Sequence, residues 1–160
     1  MYLLDSNVMI EAKNRYYGFD ICPGFWDWLE QSHAATRIFS INAVRDEIAA
    51  GEDELSKWAK SLPPSFFINR GAGTVPHLTA LARWAAASAQ YTDAAKAEFL
   101  AAADYYLVAQ AREHNFALVT HELPSNSKRR IKIPEAAREL GVRIMSPFDV
   151  MRAEGAKFSM

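Results

Sequence analysis

Four acidic residues occur where a single site in an α/β protein would gather them. Asp5 directly follows a short apolar run, and Glu122 comes soon after a second one, over residues 116–120. Such runs are typical of buried parallel strands, whose carboxyl ends form the ligand-binding edge of an open sheet. Glu47 and Asp104 lie on or beside the apolar faces of two predicted helices. Converging carboxylates repel one another without a cation, and an oxygen-only cluster favours Mg²⁺ or Mn²⁺.

Each of these acids also has an ordinary structural explanation. Asp5 and Asp104 stand near helix starts, where a carboxylate can cap backbone N–H groups and is favoured by the helix dipole. Glu47 can reach solvent from the edge of its apolar face. Taken singly, the position of Asp5 favours a cap; taken together, the order of the four acids favours a shared site.

The predicted elements alternate between strands and helices. Strands are predicted at residues 2–4, 37–41, 65–68, 116–120 and 142–145, and helices at 8–12, from 23 onward, and at 43–50, 52–61, 77–89, 93–100, 101–112, 135–140 and 147–151. This alternation predicts an α/β fold of three layers, α/β/α, around a central and mainly parallel sheet. We expect one domain over residues 1–153 and a loose tail over residues 154–160.

Two helices carry local expectations about side-chain direction. In the first aromatic-rich helix, the spacing of apolar residues predicts that Trp28 faces the core and that Trp26 lies off that face. Asn42 is the predicted N-cap of the helix that contains Glu47. In that helix Glu47 is predicted to share the apolar face, whereas Asp46 is predicted to point elsewhere.

The composition excludes several classes of protein. Half of the 160 residues are hydrophobic, which excludes a disordered chain, and the length predicts one domain with a full core. No apolar run reaches the roughly 18–20 residues of a membrane span, and the N-terminus lacks the pattern of a signal peptide. Cys22 is the only cysteine, which excludes an internal disulfide and a cysteine-based zinc site and suits the cytoplasm.

Basic segments matter because the formal net charge is −1, so any binding of nucleic acid requires a local patch. The strongest candidate contains Lys128, Arg129 and Arg130 and begins just after Glu122. Arg15 lies in a second basic segment interleaved with tyrosines, a combination that can bind phosphates and stack on bases. Both segments also have structural explanations, as a solvated loop and as a helix end at the negative pole of its dipole.

In four segments the chain resembles a PIN-domain nuclease, and the resemblance extends over nearly its full length. The segments are Leu4-Asp5-Ser6-Asn7, Val44-Arg45-Asp46-Glu47-Ile48, Ala103-Asp104-Tyr105-Tyr106-Leu107-Val108 and Leu118-Val119-Thr120-His121-Glu122. The aromatic segment from Lys13 to Leu29 is similar to a bacterial branch of PIN-like proteins. One departure is Glu122, where many members carry Asp; Glu is one methylene longer and can still ligate, directly or through water.

The resemblance implies a PIN-like fold and a metal-dependent endoribonuclease that hydrolyses RNA phosphodiester bonds with Mg²⁺ or Mn²⁺. The residues implied are the catalytic metal ligands Asp5, Glu47, Asp104 and Glu122, the site-lining residues Ser6, Asn7 and Thr120, and, as hypothetical guides for the RNA backbone, Arg15, Lys128, Arg129 and Arg130. PIN domains of this size are commonly toxins of type II toxin–antitoxin pairs. The resemblance therefore implies a small antitoxin protein as partner and a homodimer as an assembly that members often form.

Three alternatives stay open at this point. The first is a metal-dependent phosphatase that acts on small substrates and ignores RNA. The second is a PIN-like module that binds RNA or a regulatory protein without cutting. The third is a structural interaction protein in which the acids serve only as caps and surface residues.

Overall fold

A computed structural model describes residues 1–158 and contains a five-stranded parallel sheet. The strands are β1 (Tyr2–Leu4), β2 (Ile38–Ile41), β3 (Phe67–Ile68), β4 (Ala117–Val119) and β5 (Ile144–Met145), in the spatial order β3-β2-β1-β4-β5. Every strand pair in this sheet is parallel. The prediction of an α/β fold around a mainly parallel sheet is thus confirmed.

Helices cover the sheet on both faces, so the fold has the three predicted α/β/α layers. They are α1 (Ser6–Glu11), α2 (Pro23–Ala34), α3 (Asn42–Ala49), α4 (Glu54–Ser61), α5 (Val75–Ala87), α6 (Asp93–Ala101), α7 (Ala103–His114), α8 (Ile133–Leu140) and α9 (Pro147–Ala153). Helix α1 continues into a wider π-helical turn over Ala12–Tyr16. None of the helices within residues 1–158 is long and apolar enough to cross a membrane.

Strand β1 is the centre of the sheet and of the core. Leu3 is fully buried and pairs with Phe39 of β2 on one side and with Leu118 of β4 on the other. From β1 the chain first builds outward through β2 and β3, then returns to build β4 and β5 on the opposite side. The carboxyl ends of β1 and β4 therefore flank the point where the strand order reverses, which is where open α/β sheets bind their ligands.

Helix α2 buries a different tryptophan from the predicted one. The Trp26 side chain is only 3% exposed, its ring stacks on Phe19 at 3.9 Å, and its Nε1–H donates to the Tyr17 carbonyl oxygen at 2.8 Å. Trp28 is only half-buried. Trp26 lies off the predicted apolar face, but it is buried all the same, because the loop before α2 folds back over the helix and covers that side.

Two further regions, the start of α3 and the C-terminal segment of the chain, also differ from expectation. Asn42 is the first residue of α3 and not its N-cap, because β2 runs straight to Ile41, which occupies the cap position. The Asn42 amide instead donates to Asn69 Oδ1. At the other end of the chain, where a loose tail is predicted, Glu154 accepts a hydrogen bond from the Tyr2 hydroxyl at 2.8 Å and Phe158 packs beside other aromatic rings. Residues 159 and 160 of that tail lie outside the described residues.

We expect Trp26→Ala to destabilise the protein by about 3–5 kcal/mol, because the substitution leaves a cavity among aromatic rings and an unpaired Tyr17 carbonyl. Urea denaturation followed by circular dichroism measures this change. Trp28→Ala serves as the matched control and should cost less, since Trp28 is partly exposed. Equal losses for both variants would contradict the packing described for α2.

Candidate functional site

The four predicted acids lie in one region at the carboxyl edge of the sheet. Asp5 follows β1 and Glu122 follows β4, while Glu47 lies in α3 and Asp104 in the first turn of α7. The charges of Glu122 and Glu47 act on both aspartates and raise the pKa of each. The structure therefore brings the four carboxylates within electrostatic reach of one another.

Asp5 is a buried carboxylate that is held by hydroxyl groups. Its side chain is 2% exposed, and its Oδ2 accepts a hydrogen bond from the Thr120 hydroxyl at 3.0 Å. Burial raises the pKa of Asp5 to about 6, the hydrogen bond from Thr120 lowers it, and the charge of Glu122 raises it again. Asp5 occupies the N-cap position of α1, but its carboxylate makes no capping hydrogen bond of normal geometry. A capping role alone therefore does not explain this burial.

Two hydroxyl residues link the acids to each other. Ser6 Oγ lies 3.4 Å from Asp5 Oδ1 and 3.3 Å from Glu47 Oε1. Since a serine hydroxyl has one proton, it can donate to only one of these carboxylates at a time. Thr120 Oγ1 accepts the Glu122 backbone N–H at 3.1 Å, which leaves its proton to be donated to Asp5. Both hydroxyls therefore stabilise negative charge without neutralising it.

Asp104 is the less buried of the two perturbed aspartates and the more strongly perturbed. Burial raises its pKa to about 7, with further increases from the charges of Asp5, Glu122 and Glu47. Its carboxylate accepts no hydrogen bond from any other residue within 1–158, and it does not cap α7. The ionised form thus lacks the partners that normally make a half-buried carboxylate stable.

Glu122 is fixed by its own set of contacts. Its Oε2 accepts the backbone N–H of Ile133, the first residue of α8, at 2.8 Å. Its Oε1 lies 3.7 Å from Arg130 Nη2, and the charge of Arg130 in turn lowers the pKa of Asp104. Glu122 therefore holds the start of α8 and one arginine against the other acids.

The loop that carries Arg130 is ordered by short polar contacts. The Ser125 backbone N–H donates to Glu135 Oε1 at 2.8 Å, and the Ser127 N–H donates to the Ser125 hydroxyl at 3.1 Å. Glu135 is 5% exposed, and its Oε2 has no hydrogen-bond partner among the described residues. A buried acid at the start of α8 thus anchors the loop that presents the basic side chains.

An open cavity of about 640 Å³ lies beside the acids. Its lining includes the predicted residues Ser6, Asn7, Glu47, Asp104 and Arg130. Asp5 and Thr120 are both 2% exposed and do not line this cavity. They lie behind the residues that do line it. Phosphate esters are small enough to enter a cavity of this size.

The other predicted basic residues do not line this cavity. Arg15 is exposed and lies 3.1 Å from Glu11 Oε2, one helical turn earlier. Lys128 and Arg129 are exposed on the loop and make no ion pair within residues 1–158. Of the four predicted guides for RNA, the structure brings Arg130 to the acids.

The arrangement suits a hydrated cation better than a closed metal cage. Within residues 1–158, no group of three or more His, Cys, Asp or Glu side chains is arranged so that it could hold a metal ion. Mg²⁺ is commonly bound by one or two carboxylates and keeps several water molecules. The donors here are carboxylate and hydroxyl oxygens, and the pKa values of Asp5 and Asp104 are raised by burial first and by the charges of the neighbouring acids second. The donor set therefore fits Mg²⁺ or Mn²⁺, with water completing the coordination.

Comparison with known sequences assigns the chain to a family. The sequence profile of the family described as a domain of unknown function, DUF4411, matches residues 2–158. The chain belongs to the DUF4411 family. No curated protein and no solved structure matches it. The matched range includes all four acids and the whole sheet of this DUF4411 protein.

Three polar residues that line the cavity of the DUF4411 protein were not among the predicted site residues: Asp46, Arg70 and Tyr106. Asp46 is exposed and points away from the buried face of α3, as predicted, but the prediction that Glu47 shares that face is wrong, since Glu47 is exposed as well. The exposed side of α3 itself forms one wall of the cavity and presents both Asp46 and Glu47. Arg70 comes two residues after β3. Residues that follow the carboxyl ends of parallel strands are candidates for ligand binding, so the reasoning that identified Asp5 applies to Arg70 as well. The signal was weak because β3 is only two residues long.

We expect Asp5→Asn to stabilise the metal-free protein more at pH 8 than at pH 5. The pKa of Asp5 is about 6 in the folded protein against an ordinary value of 3.8. The folded state therefore binds this proton more tightly, and stability falls as the pH rises from about 4 to 7. Asn does not ionise, so the variant does not lose this stability. Its gain in the free energy of unfolding over the wild type should be about 1–2 kcal/mol larger at pH 8 than at pH 5.

Urea denaturation in the presence of a chelator, at both pH values, measures this difference. Asp27→Asn, at an exposed position of α2, is the matched control and should show no such pH dependence. If Asp5→Asn changed the free energy of unfolding equally at both pH values, Asp5 would not have the raised pKa described here.

Proposed function

We propose that this DUF4411 protein is a metal-dependent nuclease that hydrolyses RNA phosphodiester bonds. The observation that carries the proposal is the pair Asp5 and Asp104, two carboxylates with raised pKa values beside an open cavity that Arg130 also lines. Such a pair costs folding stability in the absence of a cation, and groups perturbed in this way cluster at functional sites. A site of this kind supports phosphoryl chemistry because it combines cation-binding oxygens with a fixed arginine.

In this proposal Asp5 and Asp104 hold the divalent ion, and Glu47 contributes from the exposed side of the cavity. When bound, Mg²⁺ or Mn²⁺ supplies an acidified water molecule and offsets negative charge on the phosphate. Thr120 and Ser6 keep Asp5 oriented through their hydroxyl groups. Their role is positional, since neither hydroxyl has to give up its proton.

Glu122 and Arg130 act as a second unit of the proposed site. The backbone N–H of Ile133 and the guanidinium of Arg130 hold the two carboxylate oxygens of Glu122. Arg130 thereby remains beside Asp104, where its free N–H groups can bind a phosphate oxygen of the substrate. Glu122 is thus available to orient water or complete an ion site from a fixed position.

Several finer parts of the proposal rest on the resemblance to PIN-domain nucleases. These are the choice of RNA over DNA, the toxin role in a type II toxin–antitoxin pair, the antitoxin and homodimer partners, and the cytoplasmic location. The second candidate function is a metal-dependent phosphatase on small substrates. It is favoured by the cavity volume of about 640 Å³, which lies within the range of small-molecule pockets.

We expect the wild-type protein to bind Mn²⁺ in calorimetry and to cleave RNA, and Asp5→Asn and Asp104→Asn to lose both properties. Loss of a metal ligand removes several kcal/mol of transition-state stabilisation, so cleavage should slow by at least about 100-fold. Asp27→Asn again provides the control, and thermal unfolding verifies that each variant is folded.

The other outcomes separate the alternatives. Metal binding without cleavage would favour the regulatory module that does not cut. Phosphate release from small esters, with RNA left intact, would favour the phosphatase. Absence of metal binding by the wild-type protein would refute both enzymatic proposals.

Thr120→Val is expected to move the pH dependence of Mn²⁺ binding to higher pH. The Thr120 hydrogen bond lowers the pKa of Asp5, so its loss raises that pKa further and makes protons compete with the ion up to a higher pH. A hydrogen bond to a charged group corresponds to a shift of about 1 pH unit. Calorimetric titrations between pH 5 and pH 8 measure the shift, and Thr120→Ser should retain the wild-type profile. Superimposable profiles for the Val and Ser variants would show that Thr120 does not act on Asp5.

A further inference from the structure

One wall of the cavity carries a guanidinium group without an ionic partner in the described part of the chain. Arg70 is exposed, lies in the loop after β3, and lines the cavity together with Asp104 and Arg130. Its Cζ lies 4.0 Å from the centroid of the Tyr106 ring. Within residues 1–158 it makes neither a hydrogen bond through its side chain nor an ion pair.

Stacking on Tyr106 determines what Arg70 can bind. A guanidinium above an aromatic ring is attracted to the ring face, and its N–H groups at the edge remain free for a planar acceptor. Asp46, Glu47 and Asp104 line the same cavity as Arg70. None of their carboxylates lies close enough to the Arg70 guanidinium to form an ion pair with it. Arg70 is thus stacked on the ring and not paired with an acid, so an incoming anion does not have to displace a carboxylate.

The backbone next to Arg70 is attached to the helix that carries the acid. Gln110 of α7 is 1% exposed, and its Nε2 donates to the Ile68 carbonyl oxygen, two residues before Arg70, at 3.1 Å. The same helix supplies Asp104 and Tyr106. Arg70 and the acid are therefore held in a fixed relation by α7, as a prearranged binding site requires.

We propose that Arg70, stacked on Tyr106, binds a backbone phosphate that neighbours the phosphate under attack. The inference rests on the proposed nuclease function and adds a substrate class, a nucleic-acid strand of more than one nucleotide. Arg130 is paired with Glu122 beside Asp104, whereas Arg70 makes no ion pair with the acids and is stacked on Tyr106, so we assign the two arginines to different phosphates. A mononucleotide would leave one of them unused.

The test measures the binding of a short, fluorescein-labelled, single-stranded RNA by anisotropy, at several salt concentrations, in the Asp5→Asn background that prevents cutting. Arg70→Met should weaken binding about 5- to 10-fold and reduce the slope of log affinity against log salt concentration by about 0.7, the value for one phosphate contact on a single strand. Arg83→Met, at an exposed position of α5, should change neither quantity.

Further variants separate charge from stacking. Arg70→Lys should retain the salt slope but bind several-fold more weakly, because an ammonium group lacks the planar fork of a guanidinium. Tyr106→Phe keeps the ring and should bind like the parent protein, whereas Tyr106→Leu should weaken binding. Thermal unfolding verifies that each variant remains folded. A uniform loss of affinity in all Arg70 and Tyr106 variants, including Tyr106→Phe, would contradict a stacked subsite.

Two results would overturn the inference independently of the nuclease proposal. Equal affinity and equal salt slope in Arg70→Met and Arg83→Met would remove Arg70 from the interface. Competition by inorganic phosphate or a nucleoside monophosphate as effective as that by unlabelled RNA would assign Arg70 to a small phosphate ester. RNA cleavage by the wild-type protein is measured separately, so binding that depends on Arg70 without cleavage would support the subsite and refute the nuclease.

Discussion

The constraint around which the candidate site is built is the burial of one ionisable group, the carboxylate of Asp5, at the end of the central strand. Moving an ionised carboxylate out of water is costly unless hydrogen bonds or a cation compensate for the lost hydration. Thr120 and Ser6 provide hydroxyl donors, and burial still raises the pKa of Asp5 to about 6. This cost is the reason why the proposed function assigns Asp5 a ligand-binding role.

The surrounding elements adjust the balance of charge around Asp5 in two opposite ways. Helices α3 and α7 add the carboxylates of Glu47 and Asp104, which raise the local negative charge. The segment after β4 adds Glu122, but its carboxylate is shared between the N–H group at the start of α8 and Arg130. One side of the site thus keeps unneutralised charge while the other is already balanced. In the proposed nuclease, this asymmetry would favour a cation between Asp5 and Asp104 and would leave an arginine beside it for an anionic substrate.

Much of the fold was predictable because the signals are local, whereas the errors concern contacts made by distant parts of the chain. The apolar runs before Asp5 and Glu122 predict strands, and the rule for strand ends places both acids at one edge. The burial of Trp26 depends on a loop that folds back over α2, and helical spacing does not contain that information. Arg70 was missed for a related reason, because β3 pairs over only two residues and leaves almost no periodic pattern to detect.

The spacing of the acids bears on the kind of site that they form. Structural metal sites are closed by protein ligands, whereas catalytic sites keep positions open for water and substrate. The described residues contain no ready-made group of three acidic or imidazole ligands, and the two most perturbed carboxylates are Asp5, which is buried, and Asp104, which faces the cavity. An ion between them would meet protein on the Asp5 side and solvent on the Asp104 side. The open side coincides with the cavity that Arg70 and Arg130 line, so in the proposed nuclease the two arginines would attract an anionic substrate to the face where the ion keeps its water molecules.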